Sequence, residues 1–452
     1  MTCLGRQVSN MTPAVGYSEM KDSGILGVGL VPRDWTVTKI HNLFFEVSER
    51  YDEMKDEYLP LLSVSEYYGV AERAEKIEKE AILVRAATLD GYKKCHEGDI
   101  VSNIMLAWKC SLGRSPKNGI VSPAYCVYRP RTGVNSQYYH YLFRTRVYGD
   151  IFRVNSTGLI DSRLRLYSPK FFVIQVPVPP EEEQVKIVSY LDTECAKIDE
   201  IIAEAKDSIE DYKKWKASVI YEAVTKGLDP DVEMKESGVE WIGQIPSLWS
   251  VCKTLYCLDM AITDGPHTTP ELFDTGVPFI SAEAVSCGNG KIAFDHIRGY
   301  ISEEFYEECC KKYIPKRNDI YMIKSGATTG RVAIVDTDNK FTIWSPLAVF
   351  RANQKRMLPK YLFYFLQSPA YQKQVEFGWT YGTQQNIGMR TLETLKVCIP
   401  PLDEQVSIAN HLDVLCSQFD ALVAEKEGLI ADLESYKKSL IYEVVTGKRK
   451  VC

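Results

Sequence analysis

Two stretches of closely similar sequence, one near the middle of the chain and one near its end, decide the fold. Residues 179–199 read PPEEEQVKIVSYLDTECAKID, and residues 400–420 read PPLDEQVSIANHLDVLCSQFD. The match continues without a gap into SVIYEAVT from Ser218 and SLIYEVVT from Ser439. Periods of roughly 20–50 residues are typical of solenoids, whereas this period has the size of a domain. The sequence therefore predicts an internal duplication.

A second repeated motif opens each half of the chain. MKDSGILGVGLVPRDW begins at Met20, and MKESGVEWIGQIPSLW begins at Met234. Each half thus has an opening motif, a divergent domain and a helix. The predicted segments are a disordered extension (1–19), a first domain (20–178), a first central helix (179–228), a linker with a second domain (229–399) and a second helix (400–452).

The helical prediction rests on apolar residues that recur at alternating steps of four and three, the spacing of a coiled coil. The predicted seam comprises Val188, Leu191, Ile198, Ile202, Ile209, Leu412, Phe419, Val423, Ile430 and Leu433. Pro-Pro and acidic residues precede each helix, and Gly227 or Gly447 ends it. A helix of about 42 residues is about 60 Å long, which exceeds the needs of a globular core.

Two interpretations of these helices follow. An antiparallel pair related by a pseudo-twofold axis would hold two domains at a fixed separation, whereas a simple helical hairpin would serve only dimerisation. Lys216, Lys426 and Lys437 interrupt the seam, either because they set the register of the two helices or because they lie at solvated ends. We expect the spacing role.

The charges are segregated along the chain, although the net charge is only −6. Residues 92–176 hold 13 Lys and Arg against 4 Asp and Glu, and residues 311–397 hold 14 against 5. Residues 177–240 reverse the balance, with 17 acidic and 8 basic residues. Two basic domains separated by an acidic helix are compatible with a nucleic-acid partner. No apolar run reaches the ~18 residues of a membrane span, so we expect a cytoplasmic protein without membrane contact.

The divergent domains share an outline of short strands and helices. KKCHEGDIVSNIM from Lys93 resembles KKYIPKRNDIYMI from Lys311, and GIVSPAYCVYR from Gly119 resembles FTIWSPLAVFR from Phe341. β-Branched and aromatic runs broken by Gly, Pro and Asn indicate strands. The predicted fold class is α+β, with two mixed α/β domains joined by two long antiparallel coiled-coil helices.

Basic and amide residues in the polar loops of both domains are candidates for DNA contact, because Lys and Arg neutralise phosphates while Asn, Gln and Arg can pair with base edges. A basic polar loop is also often merely solvated, but the pattern occurs in both halves. The candidates in the first domain are Lys109, Arg114, Lys117, Asn155, Ser156, Thr157, Arg163 and Arg165. Those in the second are His267, Thr268, Lys324, Ser325, Thr328, Thr329, Arg331, Trp379, Tyr381, Thr383, Gln384, Gln385, Asn386 and Arg390.

The sequence gives no pattern for catalysis or metal binding. GATTG in the second domain lacks the frame of a phosphate-binding loop, and no CxxC or HExxH spacing occurs. PDVEMK from Pro230 imitates the acidic set of a nuclease but is compressed into a linker. We therefore expect no catalytic residue, no metal and no cofactor in this chain.

Together, PPEEEQ, PPLDEQ, SGVEWIGQIPSLW, DGPHTTP from Asp264 and SGATTG from Ser325 resemble the specificity subunit of type I restriction–modification systems. The resemblance implies two target-recognition domains that read the halves of a split, asymmetric double-stranded DNA target, with a spacer set by the helices. It implies docking of methyltransferase subunits, two in number, and of restriction and translocase subunits through the complex. S-adenosylmethionine, ATP and Mg would then belong to those partners, in a prokaryotic, nucleoid-associated setting.

The first domain departs from the family pattern, because SLGRS from Ser111 stands where the second domain has SGATTG. An alternative from a different class is a coiled-coil DNA-binding protein that acts alone, as an architectural or regulatory factor. Sequence-specific binding without any partner subunit would favour that alternative.

Overall fold

The computed structural model describes residues 16–73, 89–381 and 385–451, which form two compact units. Unit 1 comprises Met1–Glu204 and Gly428–Cys452, and unit 2 comprises Ala205–Glu427. Each unit combines one divergent domain with parts of both repeated helices.

In unit 1, a β-hairpin opens the domain and a mixed layer of sheet and helix follows. The strands are β1 (Met20–Asp22), β2 (Leu30–Pro32), β3 (Thr36–Lys39), β4 (Phe44–Val47), β5 (Leu62–Ser65), β6 (Gly69–Glu72), β7 (Lys93–Cys95), β8 (Ile100–Asn103), β9 (Leu112–Arg114), β10 (Gly119–Val121), β11 (Tyr125–Pro130) and β12 (Gln175–Val178). The helices are α1 (Ser136–Phe143), α2 (Arg146–Asn155), α3 (Ser168–Phe172) and the start of α4 (Glu181–Lys226).

Unit 2 repeats this order of elements with different insertions. Its strands are β13 (Met234–Glu236), β14 (Gln244–Pro246), β15 (Ser250–Lys253), β16 (Thr263–Asp264), β17 (Val277–Ile280), β18 (Tyr300–Ile301), β19 (Ile320–Ile323), β20 (Val332–Ile334), β21 (Thr342–Ile343), β22 (Leu347–Phe350), β23 (Thr380–Tyr381), β24 (Gln385–Asn386) and β25 (Lys396–Ile399). Its helices are α5 (Ala282–Ser286), α6 (Glu303–Cys310), α7 (Pro359–Gln367), α8 (Pro369–Phe377), α9 (Met389–Thr394) and the start of α10 (Leu402–Val445).

The sheets of the two units have the same topology. The order β4-β11-β8-β9 in unit 1 corresponds to β16-β22-β19-β20 in unit 2. The antiparallel pair of β3 with β12 corresponds to that of β15 with β25, and the β1–β2 hairpin corresponds to the β13–β14 hairpin. The duplication predicted from two short motifs therefore extends through the divergent domains, and the predicted fold class is confirmed.

The two long helices, α4 with 46 residues and α10 with 44, are each about 65–70 Å long at 1.5 Å per residue. Both begin with an acidic first turn, which suits the positive end of a helix dipole. Gly227 and Gly447 follow the helices at positive φ, where glycine is favoured. Within the described ranges, no helix is both long enough and apolar enough to cross a membrane.

Inside each unit the segments of α4 and α10 run antiparallel, held by one ion pair. In unit 1, Lys437 Nζ lies 2.6 Å from Asp199 Oδ1, and in unit 2 Lys216 Nζ lies 2.6 Å from Asp420 Oδ1. The two lysines occupy equivalent positions of the repeat, as do the two aspartates, so these pairs are two copies of one contact. The side chains of Lys216 and Lys437 are only 20% and 26% exposed, which favours a register role over solvated ends.

All predicted seam residues are buried or half-buried, and Leu191 and Leu412 are completely buried. The structure adds Ile187 and Ile408, which are also completely buried. Ile187 lies one position before Val188, and Ile408 lies at the equivalent position of the second helix, four before Leu412. These two isoleucines join the domain cores. The seam thus widens where a helix packs on its domain.

Each domain is fixed to the helices by the same three hydrogen bonds. In unit 1 the donors and acceptors are Trp35 to Glu183, Tyr138 to the Val445 carbonyl, and Tyr141 to Asp192, at 2.9, 2.8 and 2.6 Å. In unit 2 they are Trp249 to Glu404, Tyr361 to the Val224 carbonyl, and Tyr364 to Asp413, at 2.9, 3.0 and 2.8 Å. The acceptors lie at equivalent positions of the repeat, so the attachment of domain to helix is itself duplicated.

Candidate nucleic-acid interface

Three separate polar loops of unit 2 meet at the ends of β16 and β19. They comprise residues 264–268, 324–331 and 385–390 and are called loop surface 2. Ser325 pairs with Asn386 in a β-bridge, the Gly326 amide donates to the Gln385 carbonyl at 3.0 Å, and the Ile387 amide donates to the Lys324 carbonyl at 2.9 Å. Main-chain hydrogen bonds therefore join segments that are about 60 positions apart in sequence.

The buried carboxylate of Asp264 connects the third loop to this pair. Lys324 Nζ lies 3.1 Å and His267 Nε2 lies 3.3 Å from Asp264 Oδ2, while Lys312 donates to Oδ1. Burial alone would raise the pKa of Asp264, but the hydrogen bonds from the two lysines outweigh it and hold the pKa below its ordinary value. One carboxylate thus faces two lysine cations, so the cluster is net positive and fixed in place.

Glycine at position 265 permits the close packing beside this cluster. A Cβ on Gly265 would lie 2.0 Å from the Ile343 carbonyl oxygen, so any other residue would displace the loop. The Ser345 amide donates to the Pro266 carbonyl at 3.2 Å and holds the next residue. The position of His267 is therefore set by its own loop as well as by Asp264.

The predicted residues of unit 2 differ in how much they are exposed. His267, Thr268, Arg331, Gln385, Asn386 and Arg390 are exposed, whereas Lys324, Ser325, Thr328, Thr329 and Trp379 are half-buried. Thr329 donates to the Gly326 carbonyl at 2.7 Å, and Arg331 donates to the Ser286 carbonyl at 3.1 Å. Thr383, Gln384 and the side chain of Tyr381 lie outside the described residues.

A corresponding surface in unit 1, loop surface 1, comprises residues 104–109 and 153–166. The Leu166 amide donates to the Ile104 carbonyl at 2.9 Å, the equivalent of the Ile387–Lys324 bond in unit 2. Lys109 Nζ and the Arg153 guanidinium lie 5.4 and 5.3 Å from the centroid of the Trp108 ring. Loop surface 1 therefore carries a cation–aromatic group, whereas loop surface 2 carries a lysine–aspartate cluster.

The other predicted residues of unit 1 have varied surroundings. Arg114 pairs with Glu97 at 3.1 Å and Lys117 with Glu72 at 2.8 Å, so both basic groups already have acidic partners outside loop surface 1. At the end of α2, Asn155 donates to the Ile151 carbonyl and Ser156 to the Phe152 carbonyl. Thr157 and Arg163 are exposed and Arg165 is half-buried.

Sequence reasoning missed several residues that shape these surfaces. Asp264 and Lys312 were not candidates, because the pairing of a buried acid with a lysine from a distant segment gives no signal in the sequence. Arg153 was missed as well, because its contact with the Trp108 ring joins two segments that are far apart in the sequence. Arg298, whose guanidinium lies 4.8 Å from the Trp344 ring centroid, belongs to the same class of cation–aromatic contact.

The fold and both loop surfaces define a class of protein: a duplicated chain in which two basic α/β units present equivalent polar loops and share two long helices. Residues 266–434 match the family described as "Type I restriction modification DNA specificity domain". The chain is 25% identical to the type I restriction enzyme MjaVIII specificity subunit of Methanocaldococcus jannaschii, over 93% of this chain and 94% of that protein. It is 21% identical to the EcoKI specificity subunit of Escherichia coli K12, over 94% and 91%.

A solved structure described as concerning complex assembly and conformational transition of the type I R-M system has the same fold, with a TM-score of 0.65 at 17% identity. It matches 92% of this chain and 98% of its own. The resemblance predicted from the sequence is confirmed. Over nearly its whole length, this chain is similar to specificity subunits of type I restriction enzymes.

Proposed function

We propose that each unit reads one half of a bipartite, asymmetric double-stranded DNA target through its loop surface. The observation that carries this proposal is the pair of equivalent surfaces with different side chains: a Trp108-centred group in unit 1 and an Asp264-centred group in unit 2. A shared framework places the loops alike, while different side chains select different bases. The two half-sites should therefore differ in sequence.

We propose that α4 and α10 set the unread gap between the half-sites, because each helix contributes residues to both units. Their outer faces are also suited to docking. Val185 in α4 and Val406 in α10 are 55% and 44% exposed and occupy equivalent positions of the repeat. Two equivalent apolar positions support docking of two methyltransferase subunits, one beside each, with restriction subunits joining through that complex.

This chain's task in the complex is recognition and positioning rather than chemistry. We propose that S-adenosylmethionine, ATP and Mg are bound by the partner subunits and that no residue of this chain acts as a catalyst. The buried carboxylates support this assignment, because each already forms an ion pair within the chain. Asp264 pairs with Lys312 and Lys324, and Asp319 pairs with Arg351 at 2.7 Å.

Selection of bound sequences from random DNA tests the assignment of two half-sites. The chain assembled with its cognate methyltransferase subunit should enrich two fixed half-sites separated by unread base pairs. One continuous motif would contradict the bipartite reading. Equal affinity and the same motif with the chain alone would instead support the independent DNA-binding protein.

The docking proposal is tested by Val185→Glu and Val406→Glu, with native mass spectrometry of the assembled complex. Each variant should lose one methyltransferase subunit, and the double variant should lose both, because a charge at the centre of an apolar contact is desolvated without a partner. Val173→Glu is the matched control, since Val173 is 50% exposed but lies outside both helices. Full assembly of the double variant would contradict this docking face.

A further inference from the structure

Two aliphatic side chains project from the tip of loop surface 1. Leu159 is fully exposed and Ile160 is 55% exposed, in the segment between α2 and α3. Single exposed hydrophobic residues are common on protein surfaces. An adjacent pair at the tip of a loop whose neighbours are candidates for DNA contact is a more specific arrangement, since both side chains would gain by leaving water.

The loop that carries this pair is closed by hydrogen bonds. Thr157 and Arg165 exchange two main-chain bonds of 2.9 Å, and the Arg165 guanidinium donates to the Leu164 carbonyl at 2.8 Å. Gly158 has φ +147, and a Cβ there would lie 2.5 Å from the Arg163 carbonyl oxygen. The backbone therefore presents Leu159 from a defined turn that requires glycine just before it.

The segment that carries the apolar pair is basic. Arg163 and Lys170 are exposed, and Arg153 stacks on Trp108 while pairing with Asp161 at 2.7 Å. Asp161 is the acid within the segment, and Arg163, Arg165 and Arg153 outnumber it. An exposed apolar pair in a basic segment is complementary to DNA, whose phosphates attract the cations while the stacked bases offer an apolar interior.

We propose that Leu159 and Ile160 insert between stacked base pairs and unstack one step of the half-site that unit 1 reads. This inference rests on the proposed function and extends it to the way in which the half-site is recognised. Apolar wedges of one or two side chains are enough to open a base step, and sequences that deform easily are then selected without hydrogen bonds to the bases.

A protein partner is a less suitable occupant for this tip. Stable protein interfaces bury roughly 1,200–2,000 Å² in total, far more than two aliphatic side chains provide. The corresponding element of unit 2, the hairpin of β23 and β24, ends in exposed Gln385 and Asn386 where it is described. Amides of this kind suit hydrogen bonding to base edges, so the deformation should be confined to the half-site of unit 1.

The test uses the full chain assembled with its cognate methyltransferase subunit and duplexes of the selected target that carry 2-aminopurine at successive steps. Unstacking should raise the fluorescence at one step of the unit 1 half-site. Leu159→Ser should abolish that rise and weaken binding about tenfold to hundredfold, the factor expected for losing the burial of one leucine. Leu159→Met should retain the rise, since a flexible apolar side chain still fills the step.

Leu26→Ser is the matched control, because Leu26 is also an exposed leucine of unit 1 but lies at the β1–β2 hairpin. It should bind and unstack DNA like the wild type. Sequence-specific binding with no fluorescence rise at any step, or unchanged binding by Leu159→Ser, overturns the wedge while leaving the two-half-site function intact. Loss of methyltransferase subunits from Leu159→Ser would overturn it in favour of a protein contact. Absence of sequence-specific binding by the wild type would refute the proposed function itself.

Discussion

Matched deletions in the two long helices should shorten the unread gap in the DNA target. Asp199 and Lys216 on α4 pair with Lys437 and Asp420 on α10. The number of residues from Asp199 to Lys216 equals the number from Asp420 to Lys437, so both helices have the same length between the two ion pairs. That length is about 25 Å at 1.5 Å per residue. Residues 205–211 and 426–432 are equivalent heptads that lie within these intervals.

Deleting both heptads keeps the intervals equal and preserves the apolar seam, so both ion pairs can form. Each helix becomes about 10 Å shorter, which corresponds to about three base pairs at 3.4 Å per step. Long-read methylation mapping in a host that supplies the methyltransferase subunit should therefore reveal unchanged half-sites separated by about three fewer base pairs.

Deleting residues 205–211 alone is the matched control. The two intervals then differ by about 10 Å, so the ion pairs of unit 1 and unit 2 cannot form together with a continuous seam. This variant should unfold at a lower temperature and give no discrete motif. An unchanged gap in the double deletion, or a single deletion as stable as the double, would refute the idea that the helices act together as a spacer.

Three further predictions concern single side chains. Arg331→Ala and Arg390→Ala should weaken recognition only of the half-site read by unit 2, by about 1–3 kcal/mol if either pairs with a base. Lys109→Ala should affect only the half-site read by unit 1. Binding to duplexes with one altered half-site measures these losses, and equal losses at both half-sites would contradict separate reading. Asp264→Asn should cost on the order of 3 kcal/mol near neutral pH, at the low end for a buried pair because Lys312 is half exposed. Because the folded pKa of Asp264 is lowered, that difference in urea denaturation should be present above about pH 4 and vanish as the pH falls through the folded value, and a pH-independent difference would argue against the ion pair. Burial, with the charges of Arg144 and Arg114, lowers the pKa of His140 to about 3. Unit 1 should therefore lose stability as the pH falls from about 6.5 towards 3, since the unfolded chain binds the proton first. His140→Asn, which keeps an acceptor for the Arg114 amide, should flatten this dependence in the same denaturation assay, and an equally steep profile would refute the assignment.

The sequence predicted the duplication and the long helices because both depend on periodic, local patterns. Heptad spacing identifies a helix without knowledge of its surroundings, and the repeated acidic and Pro-Pro motifs locate its start. The widening of the seam to Ile187 and Ile408 was not predicted, because these residues are selected by the domain that packs on the helix. A heptad pattern contains no information about such a third partner.

Prediction was weaker at the loop surfaces, for a related reason. Arg331 and Arg390 could be named from composition, but the joining of their loops depends on main-chain hydrogen bonds such as that from Ile387 to Lys324. Main-chain bonds leave no trace in residue types. Lys324 stays a predicted DNA contact. Its side chain is only 14% exposed and lies 3.1 Å from Asp264, a contact that the residue type alone does not indicate.

The measurement that tests the central claim most directly is methylation mapping in two hosts that both express the cognate methyltransferase subunit, one with this chain and one without it. Methylated adenine should occur in the first host at one split, asymmetric motif and be absent from that motif in the second. A motif that is independent of this chain, or one without an unread gap, would contradict the assignment of two recognition units joined by a helical spacer.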